Sequence, residues 1–360
     1  MVPDPHGRSG FAALAQLALA HLLNLAGYRG RVRTIDWVDG AVEIIDQTAL
    51  PEQTRVLRLS TVEELVDAIR RLAVRGAPAL GVAGALGVAL AARQYPDQAR
   101  LAAAVEAVRT ARPTAVNLAR GANRAAARLA RGRDAVLAEA LRVRDEEIAR
   151  SAAQARLGAD LVTELCGPAP RLLTHCNTGA LAAVVGGTAL AVVAELHRRG
   201  ALRGVVASET RPLLQGARLT AWELRQLGVP FQLAVDSAGP FLMARGEVDA
   251  VILGADRICA NGDVVNKVGT YAHALGAARA GIPFLVVAPE STVDTATAEG
   301  AAVPIEDRGR DEVLHFHGAR TAPAGVDAVN PAFDVTPHDL VTAIVTDQRV
   351  IRLDKGDALA

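Results

Sequence analysis

The sequence predicts an α/β protein: a C-terminal, Rossmann-like, doubly wound parallel sheet follows a smaller, mostly helical domain with a short N-terminal β-hairpin. From residue 171 onwards, five apolar segments each end in polar residues, and loops or helix-like segments separate them, which is the rhythm of a parallel sheet. Composition agrees, because 51% of the residues are hydrophobic and only 3% are aromatic. An Ala, Val and Leu core of this kind suits helices packed on such a sheet.

A chain of 360 residues is long for a single hydrophobic core, so two domains are expected. We expect an N-terminal extension at 1–32, the small domain at 33–165 and the Rossmann-like domain at 166–360. Lys and Arg together number 39, as do Asp and Glu, so the formal net charge is zero. We therefore expect neither nucleic acid nor a membrane as a partner.

Two features bear on localisation. Residues 11–26 are apolar enough to resemble a signal-peptide core, but no convincing cleavage site precedes Gly30. The stretch is too short to span a bilayer comfortably, so we expect an additional helix or a start codon placed too early. The three cysteines are widely spaced and form neither a disulfide framework nor a zinc pattern. A reducing, cytoplasmic setting fits them best.

The small domain opens with strong local patterns. The segments TIDWV and AVEII flank Asp39-Gly40, which predicts a two-residue β-hairpin. The run Ser60–Glu64 has the residues of a capped helix start.

Farther along, Gly81, Gly84 and Gly87 recur every three residues, which predicts one closely packed helix face and not a dinucleotide-binding loop. Arg75–Pro78 precedes that helix, and an arginine beside backbone amides ahead of a helix is typical of an anion site. Residues 98–165 are predicted to be helical, with an interruption at Arg112-Pro113-Thr114, where the proline starts a new helix.

The five predicted strands of the second domain are RLLTH, GVVAS, PFQLAV, DAVILGA and PFLVVA. Because parallel strands end at one edge, their polar ends should line a single crevice. After the first strand we expect a helix from Ala180. No glycine-rich fingerprint with a downstream acid is present, so NAD is not implied. Near the C-terminus, Asp334–Pro337 is expected to cap a late helix, and AIVTDQRVI to supply a final strand.

The most polar strand end follows DAVIL. The strand is expected to stop at Gly254, and a polar loop then carries Asp256, Asn266 and Lys267 to a helix near Ala272. Ordinary strand-to-helix connections take ~2–6 residues, so this longer one resembles a binding loop. Asn266 and Lys267 look like hydroxyl and phosphate ligands, with a plain surface loop as the alternative.

Cys176 lies between a predicted strand and a predicted helix start, where the helix dipole would favour a thiolate. The alternative, a small buried side chain, carries equal weight. His175 should point to the opposite face of the strand, which argues against a Cys–His pair. Asp256 can serve as an acid or base, with a capping aspartate as its alternative.

The remaining candidates are assigned to structure. Cys166 and Cys259 are expected to be structural, and His315 with His317 lacks a third ligand, so no metal site is expected. From the residues alone we predict an enzyme that transfers protons on a phosphorylated small molecule. It uses no metal and no nucleotide cofactor.

Seven segments follow one another in the order TIDWVDGAVEIIDQTALP, RGAPALGVAGALG, RPTAVNLARG, THCNTGALA, ETRPLLQGARLTAWEL, GADRICANGDVVNKVGTY and PAFDVTPHDLVTAIVTD. They resemble the S-methyl-5-thioribose-1-phosphate isomerase family of methionine salvage. The resemblance covers the chain from about residue 33 to its end, and residues 1–32 lie outside it.

The resemblance implies an aldose–ketose isomerase that converts S-methyl-5-thioribose 1-phosphate to S-methyl-5-thioribulose 1-phosphate. It implies that Asp256 donates a proton to assist ring opening. It also implies that Cys176 lies against the reacting carbons and stabilises the transition state. The implied substrate contacts are Arg75, Gly76, Ala77, Arg112, Gln215, Asn266 and Lys267. Related proteins form homodimers, so a homodimer is expected.

Other functions remain open. The run Asp236–Pro240 departs from the family, whose members more often carry a methionine or alanines there, and relatives act on 5-deoxyribose 1-phosphate or ribose 1,5-bisphosphate. The fold is shared with the alpha, beta and delta regulatory subunits of a eukaryotic initiation factor, which sense ligands without catalysis and do not keep the pair Cys176 and Asp256. Hydrogen transfer as a hydride or through an enolate also stays open, and an apolar pocket around Cys176 would favour the hydride.

Overall fold

The computed structural model describes residues 33–113, 115–316 and 318–359. These residues form two compact units. Unit 1 contains the described residues up to Ala152 together with Thr178–Ala191, and unit 2 contains Ala153–Asn177 together with the described residues from Val192 onwards. The expectations for 1–32 lie outside the described residues, and the domain boundary expected at 165 stays a prediction.

Unit 1 begins with a three-stranded antiparallel sheet, in the order β1 (Ile35–Val38), β2 (Ala41–Ile45) and β3 (Val56–Leu59). The predicted hairpin is confirmed: Asp39 and Gly40 have φ of 45° and 82°, the left-handed backbone that a two-residue turn of this kind requires. The third strand was not expected from the sequence.

Helices make up the rest of unit 1. They are α1 (Val62–Arg70), α2 (Ala77–Gln94), α3 (Gln98–Arg109), α4 (Val116–Ala126) and α5 (Arg133–Cys166), the last of which contributes residues to both units. The predicted cap of α1 is confirmed, since the Thr61 side chain accepts from the Glu64 N–H in a capping box. The proline at 113 does not start a helix as predicted, because α4 begins only at Val116.

The predicted glycine face of α2 is confirmed in its contacts with α4. A Cβ atom on Gly84 would lie 2.2 Å from the Leu118 carbonyl oxygen. A Cβ atom on Gly121, in α4, would lie 1.9 Å from the Gly81 carbonyl oxygen. The two backbones therefore approach as closely as only glycine permits.

Helix α2 is also the one helix in the described ranges that is long and apolar enough to cross a membrane by length and composition. Of that apolar window, 67% is buried inside the protein, which is the pattern of a core helix.

The strands of unit 2 are β4 (Arg171–Thr174), β5 (Gly204–Ser208), β6 (Phe231–Ala234), β7 (Ala250–Leu253), β8 (Arg257–Cys259), β9 (Val264–Lys267), β10 (Phe284–Val287), β11 (Val293–Asp294), β12 (His315–Phe316), β13 (Ala319–Arg320), β14 (Phe333–Thr336), β15 (Ala343–Val345) and β16 (Val350–Ile351). The later helices are α6 (Ala189–Arg198), α7 (Ala221–Leu227), α8 (Ala238–Ala244), α9 (Thr270–Ala280) and α10 (Asp311–Leu314).

Seven of these strands form the main sheet, in the order β16-β15-β10-β7-β4-β5-β6. Every neighbouring pair is parallel except β15 and β16. All five predicted strands are present, and the expected last strand is a short antiparallel pair. The chain starts in the middle at β4, runs outward through β5 and β6, and returns to the other side at β7. This reversal makes the sheet doubly wound, as predicted.

The region after β7 differs from the prediction. The expected long loop contains β8 and β9, which pair antiparallel around a turn where Gly262 has φ of 94°. The expected late helix is also wrong, because Asp334 lies within β14, which pairs with β9. A second sheet results, in the order β11-β8-β9-β14. The distant partners β11 and β14 extend the local hairpin of β8 and β9 into this sheet, and they could not be seen in the local sequence pattern.

The helix expected from Ala180 was also wrong. Only a short 3₁₀ turn occupies Ala180–Ala182, and α6 begins at Ala189. Gly186 and Gly187 interrupt the pattern with φ of 75° and 93°, a backbone that no helix continues through.

We expect Gly121→Ala to destabilise the protein by about 1–3 kcal/mol, because its new methyl group would overlap the Gly81 carbonyl. Gly81→Ala is the matched control: its Cβ atom would meet its nearest neighbour, the Asn117 carbonyl oxygen, at 3.5 Å, an ordinary contact. The control should leave stability unchanged or raise it slightly, since alanine favours helix. Urea unfolding followed by circular dichroism measures both, and equal stabilities would contradict the packing argument.

Candidate functional site

The two central candidates follow β4 and β7, the neighbouring strands at which the chain switches from building one half of the sheet to building the other. Cys176 comes just after β4, and Asp256 comes just after β7, which pairs parallel with β4. In open α/β sheets, ligands bind outside the carboxyl ends of the strands at such a switch point. The topology therefore places a thiol and a carboxyl group at the edge of the sheet where a binding crevice is expected.

The backbone of Cys176 is held in an unusual conformation. Its φ is 62°, in the left-handed region, and the residue is only 8% exposed. Its N–H donates to Thr210 Oγ1 at 2.9 Å, and its carbonyl oxygen accepts from Thr220 Oγ1 at 2.6 Å. Because α6 begins only at Ala189, the helix dipole that was expected to favour the thiolate does not follow Cys176 directly.

His175 is engaged away from Cys176, as predicted. It is fully buried, with Nδ1 3.1 Å from Ser208 Oγ and Nε2 2.9 Å from the Val268 carbonyl oxygen. Burial lowers the pKa of His175, partly offset by the charge of Asp236. Since a carbonyl oxygen only accepts, Nε2 carries a proton and donates to Val268.

Gln215 lies at the start of the turn that anchors Cys176. It immediately precedes the π-helical turn Gly216–Thr220, whose last residue donates to the Cys176 carbonyl oxygen. Gln215 is buried, and its Oε1 has no hydrogen-bond partner among the described residues. A buried amide oxygen of this kind is suited to accept from a ligand hydroxyl. Sequence reasoning without the family resemblance missed this residue.

Asp256 is exposed. Its N–H donates to the Val265 carbonyl oxygen at 3.0 Å, which holds it beside the strand that carries Asn266 and Lys267. The structure thus brings these three candidates together at adjoining strands of the second sheet.

Asn266 and Lys267 are fixed by the turn that leads into α9. The buried Asn266 side chain donates to Thr270 Oγ1 at 2.9 Å, and Thr270 Oγ1 donates to the Lys267 carbonyl oxygen at 2.6 Å. Lys267 Nζ donates to the Ala332 carbonyl oxygen at 2.6 Å and lies 4.6 Å from the centre of the Phe333 ring. The ammonium group is therefore held in place and not free to move with the solvent.

Asp334 is a residue that sequence reasoning placed wrongly. It pairs with Asn266 in the register of β14 and β9. Its carboxylate accepts from the Gly269 N–H at 2.7 Å and from the Tyr271 N–H at 3.2 Å, so it caps α9. Burial raises the pKa of Asp334 to about 6, although these hydrogen bonds and Lys267 act in the opposite direction. Asp334 therefore stabilises the turn between Lys267 and α9 and does not cap a helix that follows it in the sequence.

The other candidates belong to unit 1. Gly76 has φ of 97° and is the residue before the first turn of α2, whose first residue is Ala77. A Cβ atom on Gly76 would lie 2.4 Å from the Ala182 backbone, so glycine is required there. Arg75 is half-buried beside this helix N-terminus, and Arg112 is half-buried in the turn between α3 and α4. Both the helix end and the two guanidinium groups suit an anion.

Within the described part of the chain, no group of three His, Cys, Asp or Glu side chains could hold a metal ion. His315 lies in β12, and His317 lies outside the described residues. Cys166, Cys176 and Cys259 are all free thiols.

The model of the initiation factor 2 subunit family matches residues 73–352. The chain belongs to this family. A methylthioribose-1-phosphate isomerase from Anaeromyxobacter sp. strain K is 54% identical over 319 residues, covering 89% of this chain and 93% of that protein. A 5-deoxyribose 1-phosphate isomerase from Moorella thermoacetica is 48% identical, covering 89% and 94%.

One relative is longer. A probable bifunctional methylthioribose-1-phosphate isomerase/methylthioribulose-1-phosphate dehydratase from Nocardia farcinica is 53% identical over 324 residues. The match covers 88% of this chain but only 59% of the Nocardia protein.

Two solved structures share the fold. The 5-methylthioribose 1-phosphate isomerase from Pyrococcus horikoshii OT3 superposes with a TM-score of 0.84 at 41% identity, covering 89% of this chain and 93% of that one. The subunit delta of translation initiation factor eIF-2B from A. fulgidus superposes with a TM-score of 0.80 at 43% identity, covering 89% and 96%. The resemblance seen in the sequence and the predicted fold are confirmed.

A buried histidine beside the candidate site predicts how stability depends on pH. His273 packs edge-on against His175 at 5.0 Å between ring centres, and neither of its ring nitrogens has a hydrogen-bond partner among the described residues. Burial, and then the neighbouring His175, lower the pKa of His273 from 6.5 to about 3. Its contribution to folding is therefore complete above pH 6.5 and is lost as the pH falls towards 3.

We expect His273→Leu to flatten the fall in melting temperature between about pH 6.5 and pH 4, because the variant lacks the group that the unfolded chain protonates. Thermal unfolding over a pH series measures this slope. His197→Leu, which removes a half-buried imidazole in α6, is the control and should keep the wild-type slope. Parallel curves for wild type and His273→Leu would contradict the assignment.

Proposed function

We propose that this protein is a methylthioribose-1-phosphate isomerase: an aldose–ketose isomerase of methionine salvage that converts S-methyl-5-thioribose 1-phosphate to S-methyl-5-thioribulose 1-phosphate. The observation that carries the proposal is the placement of Cys176 and Asp256 after β4 and β7, the two strands at the switch point. Relatives of about half-identical sequence over most of the chain bear this name.

We propose Asp256 as the proton donor. In the reaction, the bond from C1 to the ring oxygen breaks and that oxygen takes a proton. A hydrogen moves from C2 to C1, and the C2 hydroxyl releases its proton as C2 becomes a ketone, so one proton is taken up and one is released. Atoms balance without a co-reactant. An exposed carboxyl group at a strand end can reach a bound sugar and exchange protons with water.

We propose that Cys176 lies against the carbons between which the hydrogen moves and stabilises the transition state. Its burial supports this role, because a thiol is small, weakly polar and tolerated in a dry pocket. Its fixed backbone supports the role as well, because catalysis by contact depends on groups held in position beforehand.

We propose further substrate contacts at Arg75, Gly76, Ala77, Arg112, Gln215, Asn266 and Lys267. The helix N-terminus at Ala77 carries a partial positive charge, which suits the negatively charged phosphate. In unit 2, Gln215 Oε1, which has no hydrogen-bond partner within the described ranges, supports a contact with a hydroxyl. The anchored ammonium of Lys267 supports a contact with a phosphate.

A second candidate is 5-deoxyribose-1-phosphate isomerase, which the Moorella relative favours. The two substrates differ only at C5, and one such group in an apolar pocket changes discrimination by only ~1–3 kcal/mol. Ribose 1,5-bisphosphate is a third possible substrate of the same chemistry. A non-catalytic ligand sensor is the alternative from another class, in keeping with the likeness to an eIF-2B subunit.

We also propose that the protein is cytoplasmic and acts as a homodimer. Free thiols at all three cysteines support the first point. The homodimer is supported by exposed apolar side chains in unit 2. They lie on β6, on the residue after it and on helices α8 and α9: Leu233, Val235, Phe241 and Leu275. Strand β6 is an edge of the main sheet, an element that proteins usually cover.

Turnover tests the isomerase. We expect wild type to convert S-methyl-5-thioribose 1-phosphate without added metal or nucleotide, and Cys176→Ser and Asp256→Asn each to lower kcat by about 10²–10⁴-fold. Cys166→Ser, a half-buried thiol away from the switch point, is the control and should keep the wild-type rate. Assaying 5-deoxyribose 1-phosphate and ribose 1,5-bisphosphate in parallel ranks the three substrates. Binding without turnover of any of them would favour the sensor.

Sedimentation equilibrium tests the dimer. We expect wild type at about twice the chain mass of 37.4 kDa and Phe241→Asp at the mass of one chain, because a buried charge opposes association. Phe241 is 61% exposed in the single chain. Val329→Asp is the control, since Val329 is 83% exposed and belongs to none of those elements. A monomeric wild type would overturn the proposal.

A further inference from the structure

The carboxylate of Asp236, which comes after β6, organises the segment that follows β5. Its Oδ1 accepts from the Ser208 hydroxyl and from the Thr210 N–H, the latter at 2.7 Å. Its Oδ2 accepts from the Arg211 N–H, also at 2.7 Å. All three partners are donors, and the two oxygens of a carboxylate can satisfy them together. Asp236 thus holds two successive backbone amides of this segment.

Thr210 is the residue whose conformation this arrangement fixes. Its φ is 66° and it is fully buried. A β-branched residue adopts this backbone only where its surroundings enforce it, since the side chain crowds its own carbonyl group. The enforcing contacts are the bond from its N–H to Asp236 and the bond from its hydroxyl to the Ser208 carbonyl oxygen at 3.0 Å.

The Thr210 hydroxyl carries this constraint to Cys176. It accepts from the Cys176 N–H at 2.9 Å, while Thr220 donates to the Cys176 carbonyl oxygen at 2.6 Å. Both polar backbone groups of Cys176 are therefore taken up, and the left-handed conformation leaves its side chain one fixed direction from the backbone. Moving the Cβ atom that carries the thiol would require breaking at least one bond of this series.

Ser208 also lies beside His175. It donates its one hydroxyl proton to Asp236, its Oγ lies 3.1 Å from His175 Nδ1, and His175 Nε2 donates to the Val268 carbonyl oxygen at 2.9 Å. Because the proton of the neutral ring is on Nε2, the contact between Ser208 and Nδ1 is one of packing. The hydrogen-bonded series from Asp236 therefore runs to Cys176 through Thr210.

We propose that Asp236 is the positioning residue for Cys176: through Thr210 it sets the backbone from which the thiol projects. It acts through Thr210 and not on the substrate. The expected effect on kcat rests on the proposed isomerase function. The expected effect on the exposure of the Cys176 thiol is independent of that function.

Asp236→Asn tests the proposal at nearly constant shape. The asparagine side chain places an NH₂ donor where one carboxylate oxygen faced a backbone N–H. Either the Thr210 N–H or the Arg211 N–H therefore loses its acceptor. We expect kcat to fall about 10–100-fold with KM changed less than about twofold, as when a catalytic group is displaced and ground-state binding is kept. A structural defect alone would instead lower the amount of active enzyme and the melting temperature.

Alkylation of Cys176 by iodoacetamide, resolved by peptide mass mapping, gives a readout that needs no substrate. We expect Asp236→Asn to raise the alkylation rate of Cys176 several-fold, because the loosened backbone lets a buried thiol reach solvent. Cys259, which is fully buried in unit 2, should stay unreactive in the same digest and thereby show that the fold is intact.

Three further variants keep the test decisive if Asp236→Asn folds poorly. Thr210→Val removes the acceptor for the Cys176 N–H and should reproduce both effects, whereas Thr210→Ser keeps the hydroxyl and should stay near wild type. Asp249→Asn is the matched control. Its carboxylate also accepts from a backbone N–H, that of Arg171 at 2.6 Å, but at the opposite end of the main sheet. It should change neither readout.

Unchanged kcat and unchanged alkylation in Asp236→Asn and Thr210→Val would overturn the positioning role. Equal behaviour of Thr210→Val and Thr210→Ser would overturn it as well. If wild type turns over none of the three sugar phosphates, the isomerase assignment fails. The alkylation rates then decide the positioning of Cys176 by themselves.

Discussion

The parallel pairing of β4 with β7 is the constraint on which the rest of unit 2 depends. It places Leu172 and Leu173 beside Ala250 and Val251, all of them fully buried, so the register is fixed by apolar contact on both faces. Because the chain leaves β4 towards one side and returns at β7 on the other, the two strand ends diverge. The residues that follow them lie at the position where open α/β sheets usually bind ligands.

The chain beyond these strand ends is irregular, and polar side chains take over the bonding that a sheet would otherwise supply. Asp236 and Asp334 each bind two backbone N–H groups, in the segments that precede Gln215 and follow Lys267 respectively. A carboxylate is well suited to this task, because its two oxygens only accept. The cost is desolvation, which is seen at Asp334 as a pKa raised to about 6.

Threonine hydroxyls complete the same pattern. Thr210 and Thr220 bind the two polar backbone groups of Cys176, and Thr270 binds the Lys267 carbonyl oxygen. A hydroxyl both donates and accepts, so it can join two backbone segments that no ladder connects. The backbones that carry the thiol and the ammonium group are thus held by threonine hydroxyls from outside the strand ladders, an arrangement suited to preorganising a site.

The sequence by itself determined the elements with local causes. Apolar runs specified the five parallel strands, Asp39-Gly40 specified the hairpin, and the spacing of Gly84 from its neighbours specified a close helix contact. Sequence motifs also singled out Cys176 and Asp256 as candidates. Tertiary structure decided what depends on distant partners. Strand β9 pairs not only with its neighbour β8 but also with β14, more than 60 residues later, and no local pattern marks that second pairing. The role of Asp236 likewise exists only once β6 lies beside β5 and its carboxylate meets two amides from another strand end.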